Sequence, residues 1–381
     1  MNYTDRVTRV EPSATLAVSS LASRLEADGV DVVDLSVGEP DFDTPDHIKE
    51  AGRDAITRGE TSYAPSTGIP SLRAAIAEDL QTDGLAYESE NVMVTPGAKQ
   101  ALFEVVHTVV EDGDEVVLLD PSWVSYAAMA KIAGAELTRV DLSETDFQLE
   151  PVLDELGGAL SKDTELLIVN SPNNPSGAVY SKAALEGVRD LAVEYDITVI
   201  SDEIYRDIRY SGDHISLGSL PGMAERTVTV NGFSKANAMT GWRLGYFAGP
   251  TGLIEQAGKI QSHSVSSAAT FVQHAGLAAL DGPTAPTQRM VEAFEERRDL
   301  LLDGFEAHGI DIPTPNGAFY MMLPVAADDE TWCTNALEEA HVATVPGSAF
   351  GAPGYARLSY AADSERLRDA VNRLGDAGFL D

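Results

Sequence analysis

The sequence predicts an α/β protein: a large domain with a mostly parallel, helix-covered sheet, and a smaller α+β domain formed from both chain ends. Between about residues 90 and 250, short apolar strands alternate with helical segments, a pattern typical of a parallel sheet with helices on both faces. The last 70 or so residues mix strand and helix patterns instead. The first 45 residues hold one clear strand, "VVDLSV", and are too short to form a core alone, so we expect them to pack against the C-terminal part.

The predicted strands of the large domain are short runs rich in Val, Ile and Leu. In chain order they are "NVMVT", "EVVLLD", "LLIVN", "ITVIS" and "TVTVN". Predicted helices run from Gly97 to about Val110, after Trp123, over "KAALEGVRDLAVEY", and from "GPTG" to about His308 with interruptions at Pro283 and Pro286. The C-terminal part contains "AFYMML", a helix near 330–340, "HVATV", "ARLSYA" and a closing helix from Asp363.

These elements divide the chain into three parts. Residues 1–45 are predicted to be an N-terminal arm and part of the small domain. Residues 46–285 are predicted to form the large domain that contains the parallel sheet. Residues 286–381 are predicted to complete the small domain.

Charge is the unusual feature of the composition. Asp and Glu number 61 against 26 Lys and Arg, for a net charge of −35, and only 7 of the 26 are lysines. Acidic residues spread along the chain disfavour binding to nucleic acid or to an anionic membrane. Acid enrichment combined with lysine depletion is typical of halophilic proteins, which work where salt reduces the screening length to about 3 Å.

The sequence lacks the features that mark several classes of protein. No window offers the roughly 18 consecutive apolar residues of a membrane span. The first residues, "MNYTDRVTRVEPS", lack the apolar core of a secretory signal, so we expect a cytoplasmic protein. Cys333 is the only cysteine, which excludes an internal disulfide and a cysteine-based zinc site, and we expect no metal.

Polar residues follow three strands of the predicted sheet. Asn173 and Asn174 follow "LLIVN", Asp202 and Tyr205 follow "ITVIS", and Lys235 follows "TVTVN". Each has a local alternative: "NNPSG" is a common turn, and Asp202 could cap a helix. Because ligands bind outside the carboxyl ends of parallel strands, we expect the side chains to converge on one crevice.

This set of groups suits one cofactor, pyridoxal 5′-phosphate. A lysine in an apolar crevice can form a Schiff base with an aldehyde, and a carboxylate can keep a pyridine nitrogen protonated. Arg243 could bind a phosphate bidentately, and "TPGAK" places backbone N–H groups at a helix start. Trp123 could stack on the ring, the alternative being a core aromatic residue.

Nearly the whole chain resembles the class I/II pyridoxal-phosphate aminotransferases of fold type I, and most closely the prokaryotic aspartate aminotransferase branch. The segments that carry the resemblance, in family order, are "PSATLAV", "GEPDFDTP", "YAPSTGIPSLR", "TPGAKQALF", "PSWVSY", "NSPNNPSGAVY", "SDEIY", "NGFSKANAMTGWRLGY", "PNGAFY" and "ARLSYA". "NSPNNPSG", "SDEIY" and "SKANAMTGWR" at these separations are the specific motifs.

The resemblance implies a role for each site residue. Lys235 would form the Schiff base and move the proton, Asp202 would pair with the pyridine nitrogen, and Asn174 and Tyr205 would bind the ring oxygen. Trp123 would stack on the ring, and Gly97, Ala98, Lys99, Ser234 and Arg243 would surround the phosphate. Arg357 and the Gly38 N–H would bind the substrate α-carboxylate, near Asn174 and Trp123. Tyr63 would reach the phosphate of the neighbouring subunit of a homodimer.

The implied activity is amino-group transfer between an L-amino acid and a 2-oxo acid with ping-pong kinetics, with aspartate and the 2-oxoglutarate/glutamate pair as expected substrates. The stretch "QSHSVSSAATF" lacks the arginine that one branch of the family uses for a distal carboxylate, so we assign this role to Lys99, with Ser13 and Thr15 assisting. The negative charge of Glu11 would repel a second carboxylate if Glu11 faced the site.

Three alternatives remain at this point. The enzyme could accept aromatic or broadly varied amino acids, or could be a carbon–sulfur β-lyase or decarboxylase that uses the same lysine. A non-catalytic regulator on the same scaffold is disfavoured because such proteins carry an added DNA-binding segment, and this chain is strongly acidic.

Overall fold

The computed structural model describes residues 2–325 and 328–380. The helices are α1 Asp5–Thr8, α2 Ala14–Ala27, α3 Asp46–Thr57, α4 Pro70–Thr82, α5 Ala98–Val109, α6 Val124–Ala133, α7 Leu153–Ala159, α8 Lys182–Tyr195, α9 Thr251–Ser264, α10 Thr270–Asp281, α11 Ala285–Glu306, α12 Asp329–Glu339 and α13 Ser364–Asp376. The strands are β1 Val33–Asp34, β2 Val92–Thr95, β3 Glu115–Asp120, β4 Glu136–Asp141, β5 Thr164–Asn170, β6 Thr198–Asp202, β7 Thr227–Gly232, β8 Gly245–Ala248, β9 Tyr320–Pro324, β10 Val342–Ala343, β11 Val345–Pro346 and β12 Tyr355–Ser359.

The main sheet has seven strands in the order β2-β8-β7-β6-β5-β3-β4. Within it, β8 runs antiparallel to both of its neighbours, and the pairs β3–β4, β3–β5, β5–β6 and β6–β7 are parallel. The predicted α/β class with a mostly parallel sheet is therefore confirmed. Strands β4 and β8 were not predicted. The "ELTRVD" of β4 is a polar edge strand without an apolar run, and the "GYFA" of β8 directly follows the lysine-containing loop.

Both faces of this sheet are covered by helices because successive strand residues point to opposite sides. Val116 and Leu118 of β3 pack in a core shared with α5, α6 and α9. Their neighbours Val117 and Leu119 pack in a second core that contains α8. Each fully buried side chain of this size contributes about 1.5–3 kcal/mol to stability, so the two cores fix the strand ends that carry the polar residues.

The two chain ends meet beside this sheet. Strand β1 pairs in parallel with β10, with Val33 opposite Val342, and β9, β11 and β12 form a separate antiparallel sheet. The "VVDLSV" strand is only two residues long, like its partner β10, and the Asp34 carboxylate accepts the Ser36 N–H at 2.8 Å just beyond it. The domain boundaries near residues 45 and 285 stay a prediction. No helix in residues 2–325 and 328–380 is long and apolar enough to cross a membrane.

Glu104 is a carboxylate buried in α5, away from the polar strand ends. Its Oε1 accepts a hydrogen bond of 2.8 Å from Gln100 Nε2, and Oε2 has no hydrogen-bond partner among the described residues. Burial raises the pKa of Glu104 to about 7, although the Gln100 bond opposes the change.

Replacing Glu104 with glutamine should raise the free energy of unfolding at pH 9 and change it little at pH 5. The folded-state pKa of Glu104 lies above the ordinary value, so its contribution to stability is lost as the pH rises through about 7. Because one pKa unit corresponds to about 1.4 kcal/mol, the gain at pH 9 should be roughly 2–3 kcal/mol. Denaturant unfolding of both proteins at the two pH values measures it, and equal differences at pH 5 and pH 9 would contradict the prediction.

Candidate active site

A cavity of about 360 Å³ opens at the carboxyl ends of β5, β6 and β7. It brings together most of the residues predicted from the sequence. Those that line it are Gly38, Ala98, Lys99, Trp123, Asn174, Asp202, Tyr205, Ser234, Lys235, Arg243 and Arg357. Two predicted residues, Gly97 and Tyr63, are not among the described residues that line the cavity. Gly97 directly precedes Ala98, which does line it.

Lys235 extends from the loop after β7 into this cavity. Its Nζ donates a hydrogen bond to the backbone oxygen of Gly38 and lies 5.7 Å from the ring centre of Tyr205 and 5.6 Å from that of Phe319. Burial, together with the charge of Arg357, lowers the pKa of Lys235 to about 8. An amine with this pKa is in part neutral near physiological pH, which is the form that attacks a carbonyl carbon.

Asp202 ends β6 on the floor of the cavity and is buried. Its Oδ2 accepts a 2.7 Å hydrogen bond from the Tyr126 hydroxyl, and its Oδ1 accepts a 3.1 Å bond from the Ile204 N–H. Burial raises the pKa of Asp202 to about 6, and both hydrogen bonds oppose this change. No cation forms an ion pair with it within the described residues. A protonated pyridine nitrogen would supply the missing charge.

Arg357 lies in β12 on the opposite side of the cavity and is only 2% exposed. Its Nη2 donates to Ser36 O at 2.6 Å and its Nη1 to Asn174 Oδ1 at 3.3 Å. Nε is buried and has no hydrogen-bond partner among the described residues. No carboxylate among those residues forms an ion pair with this guanidinium. Burial lowers the pKa of Arg357, as expected of a cation that lacks its anion.

Asn174 and Tyr205 line the cavity between Asp202 and Arg357. Asn174 Nδ2 lies 3.5 Å from the Tyr205 hydroxyl, which in turn is 2.9 Å from the Tyr320 hydroxyl. Both phenols are buried, which raises the pKa of Tyr205 well above the usual range and also raises that of Tyr320. These groups therefore offer neutral donors to an anionic oxygen.

Backbone N–H groups and Arg243 close the other end of the cavity. Gly97 has φ of 91°, and a Cβ at this position would lie 2.6 Å from Arg243 Nη2, so the close approach of the two segments requires glycine. Helix α5 begins at Ala98 and places its first N–H groups beside the arginine. Arg243 is itself held by a 2.7 Å bond from Nη1 to Thr240 O, and Ser234 is buried nearby. A phosphate suits this combination.

The rim of the cavity contains one lysine. Lys99 Nζ lies 4.8 Å from the ring centre of Trp123, and its pKa is lowered by desolvation and by the charge of Arg243. Thr15 lines the cavity and its hydroxyl lies 2.8 Å from that of Ser13. Glu11 is exposed and is not among the described lining residues, so it does not oppose a carboxylate inside the cavity of its own chain.

Six polar lining residues were missed in the sequence: Ser36, Glu39, Tyr126, Asn170, Thr240 and Tyr320. Three of them lie in the segments beside Gly38 and Arg243. Tyr126 follows Trp123 by three residues, one helical turn later, and this spacing could have placed it on the same face. Asn170 is the last residue of β5, a position that should have been included with the other strand ends. Tyr320 starts β9 and reaches the cavity from the other sheet, for which the sequence carries no local signal.

Comparisons with known proteins agree with this geometry. Residues 30–374 match the family described as Aminotransferase class I and II. The chain is 46% identical over 376 residues to the aspartate/prephenate aminotransferase of Thermus thermophilus, covering 97% of each protein. It is 38% identical to the aspartate aminotransferase of Bacillus subtilis, covering 98% of each.

A solved structure gives the same result for the fold. The aspartate aminotransferase from Thermus thermophilus with maleate superposes with a TM-score of 0.96 at 44% identity, covering 99% of this chain and all of that one. The family match spans most of the sequence, and the relatives are aligned over nearly their full length. This chain therefore belongs to the class I and II aminotransferase family, whose members depend on pyridoxal phosphate.

Proposed function

We propose that the enzyme transfers the amino group of aspartate to a 2-oxo acid, with 2-oxoglutarate and glutamate as the partner pair. The observation that carries this proposal is Arg357, a buried guanidinium with an unsatisfied Nε and no carboxylate partner among the described residues. Both an amino acid and a 2-oxo acid carry an α-carboxylate that could fill this position in a bidentate arrangement. The relatives named above as aspartate aminotransferases support the choice of substrate.

The donor groups of the cavity fit pyridoxal phosphate. Asp202 would hold the pyridine nitrogen, and Asn174 and Tyr205 the ring oxygen, with Trp123 against the ring. Ser234, Arg243 and the Ala98 N–H would hold the phosphate, and Gly97 leaves room for Arg243 beside it. When bound, the cofactor supplies an aldehyde for Schiff base formation and a ring that takes up electrons from the substrate.

Lys235 would carry the proton in each half of the reaction. In its neutral form, Nζ would act as the general base that takes the proton from the substrate α-carbon, and the ammonium so formed would be the acid that delivers this proton in the second transfer. Its lowered pKa, about 8, suits a group that must alternate between these two forms. The Gly38 backbone would help to orient the α-carboxylate held by Arg357.

Lys99 is proposed to bind the distal carboxylate of aspartate. Its Nζ lies at the rim above Trp123, and Thr15 provides a hydroxyl in the same cavity. The related Thermus enzyme was solved with maleate, which is a dicarboxylate. A cation at the rim would distinguish substrates with two carboxylates from those with one.

Replacing Lys99 with alanine should lower kcat/KM for aspartate and glutamate about 10- to 100-fold more than for phenylalanine or tyrosine. An accessible charge-assisted contact contributes about 1.5–3 kcal/mol, and the aromatic substrates do not use it. Steady-state kinetics with the four amino acids measures the ratio. Lys162→Ala, at an exposed lysine outside the cavity lining, is the matched control. An equal loss for all four substrates would mean that Lys99 binds the cofactor phosphate instead.

A homodimer is proposed as the active unit, with Tyr63 completing the partner's phosphate site. Tyr63 is 93% exposed in one chain, and Tyr3, Val7 and Leu16 are also largely exposed. Exposed apolar side chains of this size are available for contacts with a second copy of the chain. Arg243 is exposed to solvent in the single chain, so a second copy would also close the phosphate end of the cavity.

One experiment tests the proposed reaction directly. The protein, purified in concentrated KCl with its cofactor, is mixed with single amino acids in the absence of a 2-oxo acid. Aspartate and glutamate should convert bound pyridoxal phosphate to pyridoxamine phosphate, followed by absorbance. Conversion by aromatic amino acids alone would favour the aromatic alternative. No conversion by any amino acid would refute the aminotransferase proposal. Release of pyruvate and ammonia from β-substituted amino acids would refute it in favour of a lyase.

A further inference from the structure

Asn170 is a buried polar residue to which the reaction above assigns no role. It ends β5, lines the cavity and is 4% exposed. Its side chain makes two hydrogen bonds in opposite senses. Nδ2 donates to the backbone oxygen of Asp202 at 2.9 Å, and Oδ1 accepts the backbone N–H of Asn174 at 2.8 Å.

These two bonds connect different parts of the fold. Asp202 lies on β6, where it is the register partner of Asn170, whereas Asn174 lies in the loop after β5. One planar amide offers a donor and an acceptor side by side, and neither an ionised carboxylate nor an apolar side chain can supply both. Removing the amide would leave the Asp202 carbonyl with one hydrogen bond fewer and the Asn174 N–H with none. An unpaired polar group in a buried site lowers stability.

The connection continues through Asn174 to the substrate end of the cavity. Asn174 Oδ1 accepts from Arg357 Nη1 at 3.3 Å, and its Nδ2 lies 3.5 Å from the Tyr205 hydroxyl. The orientation of Asn174 therefore bears on both the ring oxygen and the α-carboxylate. Asn170 fixes the backbone from which this side chain extends.

We propose that Asn170 is a positioning residue that sets Asp202 and Asn174 in register with each other, so that the two ends of the cofactor ring and the Arg357 side chain are aligned together. This inference rests on the proposed function. Asn170 acts through backbone groups, so its effect should appear as looser cofactor and substrate binding.

Replacing Asn170 with alanine should raise the dissociation constant of pyridoxal phosphate about tenfold or more, because two buried backbone groups lose their partner. Titration of the cofactor-free protein, followed by absorbance, measures this constant without any turnover. The KM for the amino acid should rise by a similar factor, because Asn174 no longer holds Arg357 in place. Cofactor affinity equal to that of the wild type would overturn the proposal.

Asn170→Asp separates a positioning role from a general loss of stability. When protonated, the new carboxyl group can still donate to Asp202 O and accept from Asn174 N–H, but when ionised it presents an oxygen to the carbonyl. Because burial raises the pKa of a carboxyl group, the ratio of the variant's dissociation constant to that of the wild type should be lower at pH 5.5 than at pH 8.5, where it should reach about tenfold or more. A ratio that does not change with pH would contradict the proposal.

Ser201→Ala is the matched control. Ser201 is buried on β6 next to Asp202, but its hydroxyl donates to Glu203 at 2.8 Å rather than into the cavity. Its loss should lower the unfolding midpoint and leave cofactor affinity unchanged. If Ser201→Ala weakens cofactor binding as much as Asn170→Ala, the effect is structural and the proposal fails. A wild-type protein that binds no pyridoxal phosphate would instead refute the proposed function itself.

Discussion

Replacing Lys235 with alanine should reduce the turnover number by roughly 10⁴-fold or more. General base catalysis alone contributes about 10²–10⁴-fold, and the variant would also lose the proposed covalent attachment of the cofactor. The surrounding groups, Asp202, Asn174 and Arg243, are left in place, so the variant should still fold and bind pyridoxal phosphate without a covalent bond. The measurements are the half-reaction with aspartate and the absorbance of the bound cofactor. Turnover equal to that of the wild type would refute the role of Lys235.

The pH dependence of the wild type gives a second test of the same residue. The lysine must be neutral to attack the aldehyde, and its pKa is lowered to about 8. The rate at which cofactor-free protein takes up pyridoxal phosphate should therefore rise with pH and level off above about 8. In Lys235→Ala this dependence should be absent, whereas Lys162→Ala should retain it.

Replacing Arg357 with methionine should change activity and stability in opposite directions. Loss of one partner of a buried charge pair costs about 2–5 kcal/mol, so kcat/KM should fall roughly 10²–10³-fold for amino acids and 2-oxo acids alike. Without ligand, the guanidinium is buried with no carboxylate partner in the described residues. A similar apolar side chain should therefore raise the unfolding free energy of the ligand-free protein by about 1–4 kcal/mol.

Arg357→Lys is the comparison for this pair of measurements. Lysine keeps the charge and loses the planar fork, so its kcat/KM should lie between those of the wild type and Arg357→Met. Its stability without ligand should show little of the gain seen with methionine. If the methionine variant loses activity and stability together, Arg357 is a structural residue and does not bind the substrate α-carboxylate.

The convergence of the strand-end residues on one cavity was largely predictable from the sequence. Asn174, Asp202 and Lys235 directly follow strands whose apolar runs are clear, and parallel strands present their carboxyl ends at one edge. The direction of each strand thus placed the residues that follow it. The resemblance to aminotransferases supplied Arg357 and Gly38, which lie in segments without any comparable pattern.

The rest of the cavity depends on packing between elements that are distant in sequence. Tyr320 reaches Tyr205 from a separate antiparallel sheet, and Tyr126 reaches Asp202 across from helix α6. Nothing local to either tyrosine specifies that partner. The short β1 is a similar case, because its length is that of its partner β10, which lies near the other end of the chain.

The cationic lining of the cavity has a consequence for the rate at which ligands arrive. Lys99, Lys235, Arg243 and Arg357 outnumber Asp202 and Glu39 around a space whose proposed ligands are anions, yet the chain as a whole carries a net charge of −35. At low ionic strength, the outer field slows the approach of a dicarboxylate that the interior attracts. At molar salt, charges more than about 3 Å apart in solvent hardly interact, while contacts inside the cavity persist. Added salt thus removes a barrier to encounter, the reverse of its usual effect on an enzyme that attracts oppositely charged substrates.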